Sequence, residues 1–150
     1  MPTKTIEMIV SLKVPDTTAI TVLQTLKKLG FNEINDVKRY FYYKFIFEGD
    51  EAEFKNKISK VDILVNANKH SFDFKIKEDG YVKVLVKNIN DDGSGLLSAL
   101  NRLGFEDIKK AESAVIYGLL AEGAKNAVKT AEKSAKELLM NEHYQEYVIL

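Results

Sequence analysis

The side chains that could carry out acid–base, nucleophilic or metal chemistry are few and scattered along this chain. There are two histidines, His70 and His143, and no cysteine. Each histidine lies near the start of a short C-terminal strand pattern, without a second imidazole or a patterned acid nearby, so neither predicts a catalytic base or a metal ligand. Without cysteine, disulfides, thiolate catalysis and zinc–thiolate sites are excluded. We expect both histidines at the surface or at strand edges.

Two further groups of residues invite a chemical interpretation. Gly93-Ser94-Gly95 resembles a fragment of a phosphate-binding loop, but no Gly-Lys-Ser/Thr follows it, so we predict a turn that enters a helix. The acid pairs Asp50/Glu51 and Asp91/Asp92 lie at predicted turns and helix starts, where carboxylates favour the helix dipole. The sequence therefore predicts no catalytic residue, no metal and no cofactor.

The charge balance disfavours two classes of partner. The chain has 22 Lys and Arg residues against 22 Asp and Glu residues, a formal net charge of +0 at pH 7. Such a chain has no net field to attract nucleic acid or anionic lipid. No apolar run is suited to a signal peptide or a membrane span, and we expect a cytoplasmic protein.

A duplication organises the elements that hold these residues. Leu29-Gly30-Phe31 returns as Leu103-Gly104-Phe105, and the surrounding sequences align without a gap at an offset of 74 residues. From Met8/Val82 to Gly49/Gly123 the alignment has 42 pairs, of which 11 are identical. The period is too long for a solenoid repeat, so we predict two copies of one small unit, residues 1–76 and 77–150.

Each copy begins with a strand and an amphipathic helix. In the first copy, apolar and other residues mostly alternate from Met8 to Val14, as in a strand with one buried face. Asp16 is placed to cap a helix of about 13 residues. Gly30 is predicted to end this helix in the left-handed conformation, with Phe31 folding back on its last turn.

The second half of each copy predicts a long strand, a helix and a short strand. The long strands, Ile34 to Phe47 and its equivalent around 114–121, are apolar on both faces, and each ends in Glu-Gly, at Glu48-Gly49 and Glu122-Gly123. The second helix is predicted from Phe54, Ile58, Val61 and Val65 in copy one and from Ala124, Ala127, Val128, Ala131, Ala135, Leu138 and Leu139 in copy two. The short strands are predicted at 71–74 and 144–149.

We therefore expect an α+β fold in which a β-α-β-α-β unit occurs twice, with antiparallel sheets that carry helices on one face. The free sheet faces or edges of the two copies should meet, which makes the chain an intramolecular pseudo-dimer. Tyr42 and Phe45 should lie on opposite faces of one strand and both be buried. The residues predicted to pack the repeats together are Tyr40, Tyr42, Phe45, Phe47, Ile116 and Leu119.

Three segments of the chain carry a resemblance to a known family. They are Leu-Lys-Lys-Leu-Gly-Phe at 26–31, Ile-Asn-Asp-Val-Lys-Arg at 34–39 and Leu-Leu-Met-Asn-Glu-His-Tyr-Gln-Glu-Tyr-Val-Ile at 138–149. These segments resemble PurS, the small subunit of phosphoribosylformylglycinamidine synthase. Ile63 to Asn66 repeats the start of the last segment in copy one. PurS is usually a single unit of about half this length that dimerises, so the chain looks like two PurS units in tandem, a PurS-like pseudo-dimer.

The resemblance implies a non-catalytic adaptor in purine biosynthesis. Its expected partners are the synthetase and glutaminase subunits of an ATP- and glutamine-dependent ligase complex, with further homodimerisation possible. The chain alone is expected to have no activity. Asn66 and Asn141, which stand where the family closes each unit with Asn-Pro, are expected partner contacts.

A second interpretation comes from another class of protein. The strand Val82 to Asn88, followed by Gly93 and a leucine-rich helix, also resembles an ACT-type regulatory module. In such a module the backbone of the loop from Asn88 to Gly95 would bind an amino acid. The first copy has Pro15-Asp16 and no glycine at this place, so at most one copy keeps the loop.

Overall fold

The computed structural model describes residues 2–121 and 126–150. The first repeat forms β1 (Thr3–Leu12), α1 (Thr17–Lys28), β2 (Ile34–Glu48), α2 (Glu51–Ile58) and β3 (His70–Asp73). The second forms β4 (Val82–Asn88), α3 (Ser94–Arg102), β5 (Ile108–Ala121), α4 (Ala127–Ser134), a π-helical turn (Ala135–Leu139) and β6 (Gln145–Ile149). The predicted α+β class and the twofold β-α-β-α-β order are confirmed. Glu122-Gly123 and Ala124, for which a strand end and a helix were predicted, lie outside the described residues.

The strands form an antiparallel sheet in the order β3-β1-β2-β5-β4-β6. β1 pairs with β2 from Thr3 opposite Glu48 to Val10 opposite Phe41. β4 pairs with β5 from Val82 opposite Leu119 to Val86 opposite Val115. The last strand of each repeat pairs with the first, β3 with β1 and β6 with β4.

The ends of α1 follow the sequence prediction. The Asp16 carboxylate accepts hydrogen bonds from the backbone N–H groups of Thr18 and Ala19, at 3.0 and 3.2 Å. At the other end Gly30 adopts φ = 99°, and the Phe31 N–H donates to the Leu26 carbonyl at 3.0 Å. This is a Schellman motif, in which glycine takes the left-handed position and an apolar residue follows it.

The second repeat ends α3 in the same way. Gly104 has φ = 101°, and the Phe105 N–H donates to the Leu100 carbonyl at 3.0 Å. The returning Leu-Gly-Phe triplet is therefore a helix stop, as predicted, and both copies form the same hydrogen bonds at it.

The second helix of the first repeat is shorter than its apolar spacing predicts. α2 ends at Ile58, whereas Val61 and Val65 lie in successive turns beyond it and are still buried. The Ser59 hydroxyl donates to the Asn56 carbonyl at 3.1 Å. A side chain that bonds the nearby backbone in this way competes with helix continuation.

The chain forms two compact units that do not follow the sequence repeats. The first unit comprises the described residues of Met1–Val14, Phe41–Ile76 and Asp91–Ser113. The second comprises those of Pro15–Tyr40, Lys77–Asn90 and Ala114–Leu150. Each unit thus combines segments of both repeats, and β2 and β5 contribute residues to both units. The repeat boundaries, 1–76 and 77–150, remain a prediction about the sequence.

The apolar cores show which segments are exchanged. In the first unit, side chains of β1, β2 and α2 pack with Leu100, Ile108 and Ala111 of the second repeat. In the second unit, side chains of β4, β5 and α4 pack with Leu26, Ile34 and Val37 of the first repeat. These two sets are equivalent at the offset of 74. Each repeat therefore supplies its first helix and the start of its long strand to the core that the other repeat's strands form.

We predict that this exchange makes Leu26 and Leu100 equally important for stability. Both side chains are 0% exposed, and Leu→Ala at either position should lower the free energy of unfolding by about 2 to 5 kcal/mol through lost burial and a cavity. Leu29 and Leu103, which are 49% and 56% exposed on the same helix ends, are the matched controls. Their substitution by Ala should change stability by less than about 0.5 kcal/mol. Chemical denaturation of the four variants measures the difference, and a Leu100→Ala effect no larger than that of Leu103→Ala would contradict the exchanged core.

Candidate functional site

Three of the six residues predicted to pack the repeats together lie in the apolar cores. Phe45 and Phe47 are 0% exposed and belong to the core of the first unit, where the Phe47 ring stacks on Phe54 with centroids 4.0 Å apart. Leu119 is 1% exposed and belongs to the core of the second unit. Both of these cores contain side chains from both repeats.

The other three lie on positions that alternate with these core residues. Tyr42 is 8% exposed, lies opposite Ile9 of β1 and donates its hydroxyl hydrogen bond to Glu7 at 2.5 Å. Burial, together with this bond, raises the pKa of Tyr42. Ile116 is 1% exposed and lies opposite Leu85, whereas Tyr40 is partly buried. Tyr42 and Phe45 are thus both buried on opposite faces of β2, but a packing role for the six residues stays a prediction.

A polar cluster in the second unit joins β2 to the start of β4 and the loop before it. The Tyr81 hydroxyl donates to Asp36, and the Lys83 ammonium donates to Asp79, both at 2.5 Å. Lys83 also donates to the Tyr81 carbonyl at 3.2 Å, which satisfies a lysine that is only 6% exposed. The Lys38 ammonium lies 4.4 Å from the centroid of the Tyr81 ring. Sequence reasoning missed this cluster, because its members are far apart along the chain and match no motif.

The electrostatics of this cluster favour fixed charges over proton transfer. The hydrogen bond to Asp36 raises the pKa of Tyr81 to about 12. Desolvation works against the charge on Asp79, but the hydrogen bonds from Lys83 and from the Tyr81 N–H outweigh it and lower the pKa of Asp79. Desolvation followed by the charges of Asp79 and Asp36 raises the pKa of Tyr40. None of these shifts brings a pKa closer to neutral pH, where a general acid or base works best.

The residues predicted to contact a partner, Asn66 and Asn141, each start a turn that closes their repeat. Asn66 Oδ1 accepts the N–H of Asn68 at 3.0 Å, and Asn141 Oδ1 accepts the N–H of His143 at 3.0 Å. The carbonyl of each Asn also accepts the N–H four residues later, at 2.7 Å in both copies. We call residues 66–70 and 141–145 the closing turns. Both asparagines have a structural function there, and partner contact stays a prediction.

The side chain at the end of each closing turn is bonded to its start. His70 Nδ1 accepts the Asn66 N–H at 2.9 Å, and Gln145 Oε1 accepts the Asn141 N–H at 2.9 Å. Sequence reasoning treated His70 as an edge residue and did not single out Gln145. The equal spacing Asn-x-x-x-His and Asn-x-x-x-Gln was the available signal.

The loop before α3 ends at Gly93, whereas Ser94 and Gly95, which were also predicted to form the turn, already belong to the helix. The Asp91 carboxylate accepts the Gly93 N–H and the Asp92 carboxylate accepts the Ser94 N–H, both at 2.9 Å. The hydrogen bond from the Ser94 backbone lowers the pKa of Asp92. These backbone donors are therefore bonded to the chain's own carboxylates, an arrangement that disfavours an incoming amino-acid carboxylate or phosphate.

The remaining candidates for chemistry are dispersed. Asp50 caps α2 by accepting the Glu53 N–H at 2.9 Å, while His143 is exposed. Within residues 2–121 and 126–150, no group of three or more His, Asp or Glu side chains is placed to hold a metal ion. Among the helices of these same residues, none is long and apolar enough to cross a membrane.

Part of the chain matches a known family. Residues 5–78 match the model of the PurS family, which is described as phosphoribosylformylglycinamidine (FGAM) synthase. The matched segment runs from within β1 through β3 and thus includes the first closing turn. Among curated proteins, a sequence search finds no match.

We predict opposite effects of alanine substitution at Gly93, which precedes α3, and at Gly95, which lies within it. Gly93 has φ = 81°, and a Cβ there would lie 1.8 Å from the Ala111 carbonyl oxygen, so Gly93→Ala should destabilise the protein by at least about 1 to 3 kcal/mol. Gly95 is within the helix and a Cβ there meets nothing within 4 Å, so Gly95→Ala should be neutral or stabilise by up to about 1 kcal/mol. Thermal unfolding of both variants measures this, and an unchanged melting temperature for Gly93→Ala would refute the turn geometry.

Proposed function

We propose that this chain, which belongs to the PurS family through its residues 5–78, is a non-catalytic adaptor of phosphoribosylformylglycinamidine synthase in the cytoplasm. The family connects the chain with this enzyme and with purine biosynthesis. In the proposal the chain bridges the synthetase and glutaminase subunits, so that ammonia released from glutamine reaches the synthetase. The family match is the observation that carries the proposal.

The tandem fold supports the view that one chain replaces a pair of PurS subunits. The second repeat has the same order of strands and helices as the first, with the same helix stop and the same closing turn. We therefore propose that residues 77–150 are a second PurS-like unit. Fusion would make assembly of the pair independent of subunit concentration, unlike that of a homodimer.

The nature of the described side chains agrees with an adaptor. The hydroxyls of Tyr42 and Tyr81 and the Lys83–Asp79 pair have hydrogen-bond partners within the chain, and the pKa values of Tyr81 and Asp79 are shifted away from neutral pH. Groups with such partners stabilise the fold, whereas catalytic groups usually have pKa values near neutral pH.

Reconstitution tests the adaptor proposal. We expect the synthetase and glutaminase subunits to form product from glutamine at a substantial rate only when the chain is added, whereas the rate with ammonium chloride should not need it. The negative control is Phe45→Asp, which places an unpaired charge in the core of the first unit and should unfold it. An equal glutamine-dependent rate with and without the wild-type chain would exclude the proposal.

Partner contact through the closing turns can be separated from their structural function. Asn66→Asp keeps the oxygen that accepts the Asn68 N–H but removes the side-chain amide donor. Asn141→Asp makes the same change at the oxygen that accepts the His143 N–H. We expect at least tenfold weaker binding to the partner subunits, which corresponds to about 1.4 kcal/mol, with little change in melting temperature. Asn68→Asp adds the same charge in the same turn and is the matched control. Binding of Asn66→Asp that equals that of Asn68→Asp would show that the Asn66 amide is not a contact.

A further inference from the structure

The two closing turns share a backbone but differ in one chemical group. In both, the N–H of the first residue is accepted by a side chain four residues later, at 2.9 Å. That side chain is an imidazole in the first turn and a carboxamide in the second. The Gln145 amide also donates to Asn88 Oδ1 at 2.9 Å. Only the imidazole can gain a proton near neutral pH.

The hydrogen bond of the first turn fixes the protonation state of His70. Because Nδ1 accepts the Asn66 N–H, Nδ1 must carry a lone pair and the ring proton must lie on Nε2. A protonated imidazole has N–H groups at both positions. Nδ1–H would then point at the Asn66 N–H, and the bond that joins the two ends of the turn would be lost.

The neighbours of His70 hold the first closing turn by hydrogen bonds and a ring contact. Directly after β1, the Lys13 N–H donates to the Lys69 carbonyl and the Lys13 ammonium donates to the Ala67 carbonyl, both at 2.8 Å. From β2, the Phe41 ring meets the imidazole edge to face, with centroids 6.2 Å apart. Lys13 and Lys69 are cationic, whereas Asp73, at the other end of β3, is anionic and accepts the Phe74 N–H at 2.7 Å.

We propose that His70 is a pH-sensitive latch of the first closing turn, which is closed when the imidazole is neutral and opens when it is protonated. The second closing turn has no such latch. Because the closed turn excludes a proton that the open turn can bind, the latch stabilises the turn at neutral pH and loses this contribution as the pH falls. This inference does not depend on the proposed function.

Amide hydrogen exchange followed by NMR tests the latch directly. The experiment uses the full chain with His143→Asn, which matches Asn68 in the first turn and leaves His70 as the single imidazole. Protection factors of the Asn66 and Asn141 amides, corrected for intrinsic exchange, are compared at pH 7.5 and 5.5. We expect the ratio of Asn66 protection to Asn141 protection to fall about tenfold at the lower pH, because protonation of the imidazole opens only the first closing turn.

Two reciprocal variants complete the test. His70→Gln copies the second turn and should keep the ratio constant, and Gln145→His should transfer the pH dependence to the Asn141 amide. Nitrogen chemical shifts of the imidazole at pH 7.5 should report an unprotonated Nδ1 and a protonated Nε2. A constant ratio in the protein with His70, an equal fall in His70→Gln, or the opposite tautomer at pH 7.5 would each overturn the proposal.

Discussion

The burial of Leu26 and Leu100 in cores built mainly by the opposite repeat is the constraint on which the rest of the structure depends. Leu26 packs among residues such as Val84 and Leu119, and Leu100 packs among residues such as Met8 and Phe45. The first helix of each repeat therefore belongs to the core that the other repeat's strands form. β2 contributes residues to both units. Its 15 residues extend roughly 50 Å at about 3.3 Å per residue, whereas strands of globular proteins typically have about five or six residues.

This constraint explains which features were predictable from the sequence. The Asp16 cap and the glycine stops at Gly30 and Gly104 depend on residues a few positions apart, and both were predicted correctly. Alternation along β2 indicated that Tyr42 and Phe45 are buried on opposite faces, since periodicity reports burial. It does not report which copy provides the covering side chains, because Leu26 and Leu100 are identical and both cores would accept either. The exchange of first helices could therefore not be derived from pattern alone. Val61 and Val65 show a different error. Their helical spacing predicted that α2 continues, whereas both side chains are buried from turns that follow the helix.

The two closing turns form the same hydrogen bonds although the repeats differ in length before them. The offset between the repeats is 74 up to the end of the long strand and 75 from Asn66/Asn141 onwards, so the second repeat has one additional residue in between. The change of offset is already present in the second helix, because α2 and α4 both have 8 residues and are offset by 76 at both ends. α4 is followed by the π-helical turn Ala135–Leu139, in which the Met140 N–H donates to the Ala135 carbonyl. Downstream of it the hydrogen bonds of the second closing turn match those of the first within 0.1 Å.

In a chain with two fused repeats one repeat can change without the other, whereas in a homodimer the same change occurs in both subunits. Here the positions equivalent to Tyr81 and Lys83 are Glu7 and Ile9, so the Asp36–Tyr81 and Lys83–Asp79 pairs belong to the second unit. In the first unit the hydroxyl of Tyr42 bonds to Glu7 instead. These differences lie outside the shared helix stops. The closing turns differ in a similar way, because the first has an imidazole where the second has a carboxamide. The backbone hydrogen bonds of the helix stops and closing turns are common to both repeats, whereas the polar pairs formed by Tyr81 and Lys83 are not.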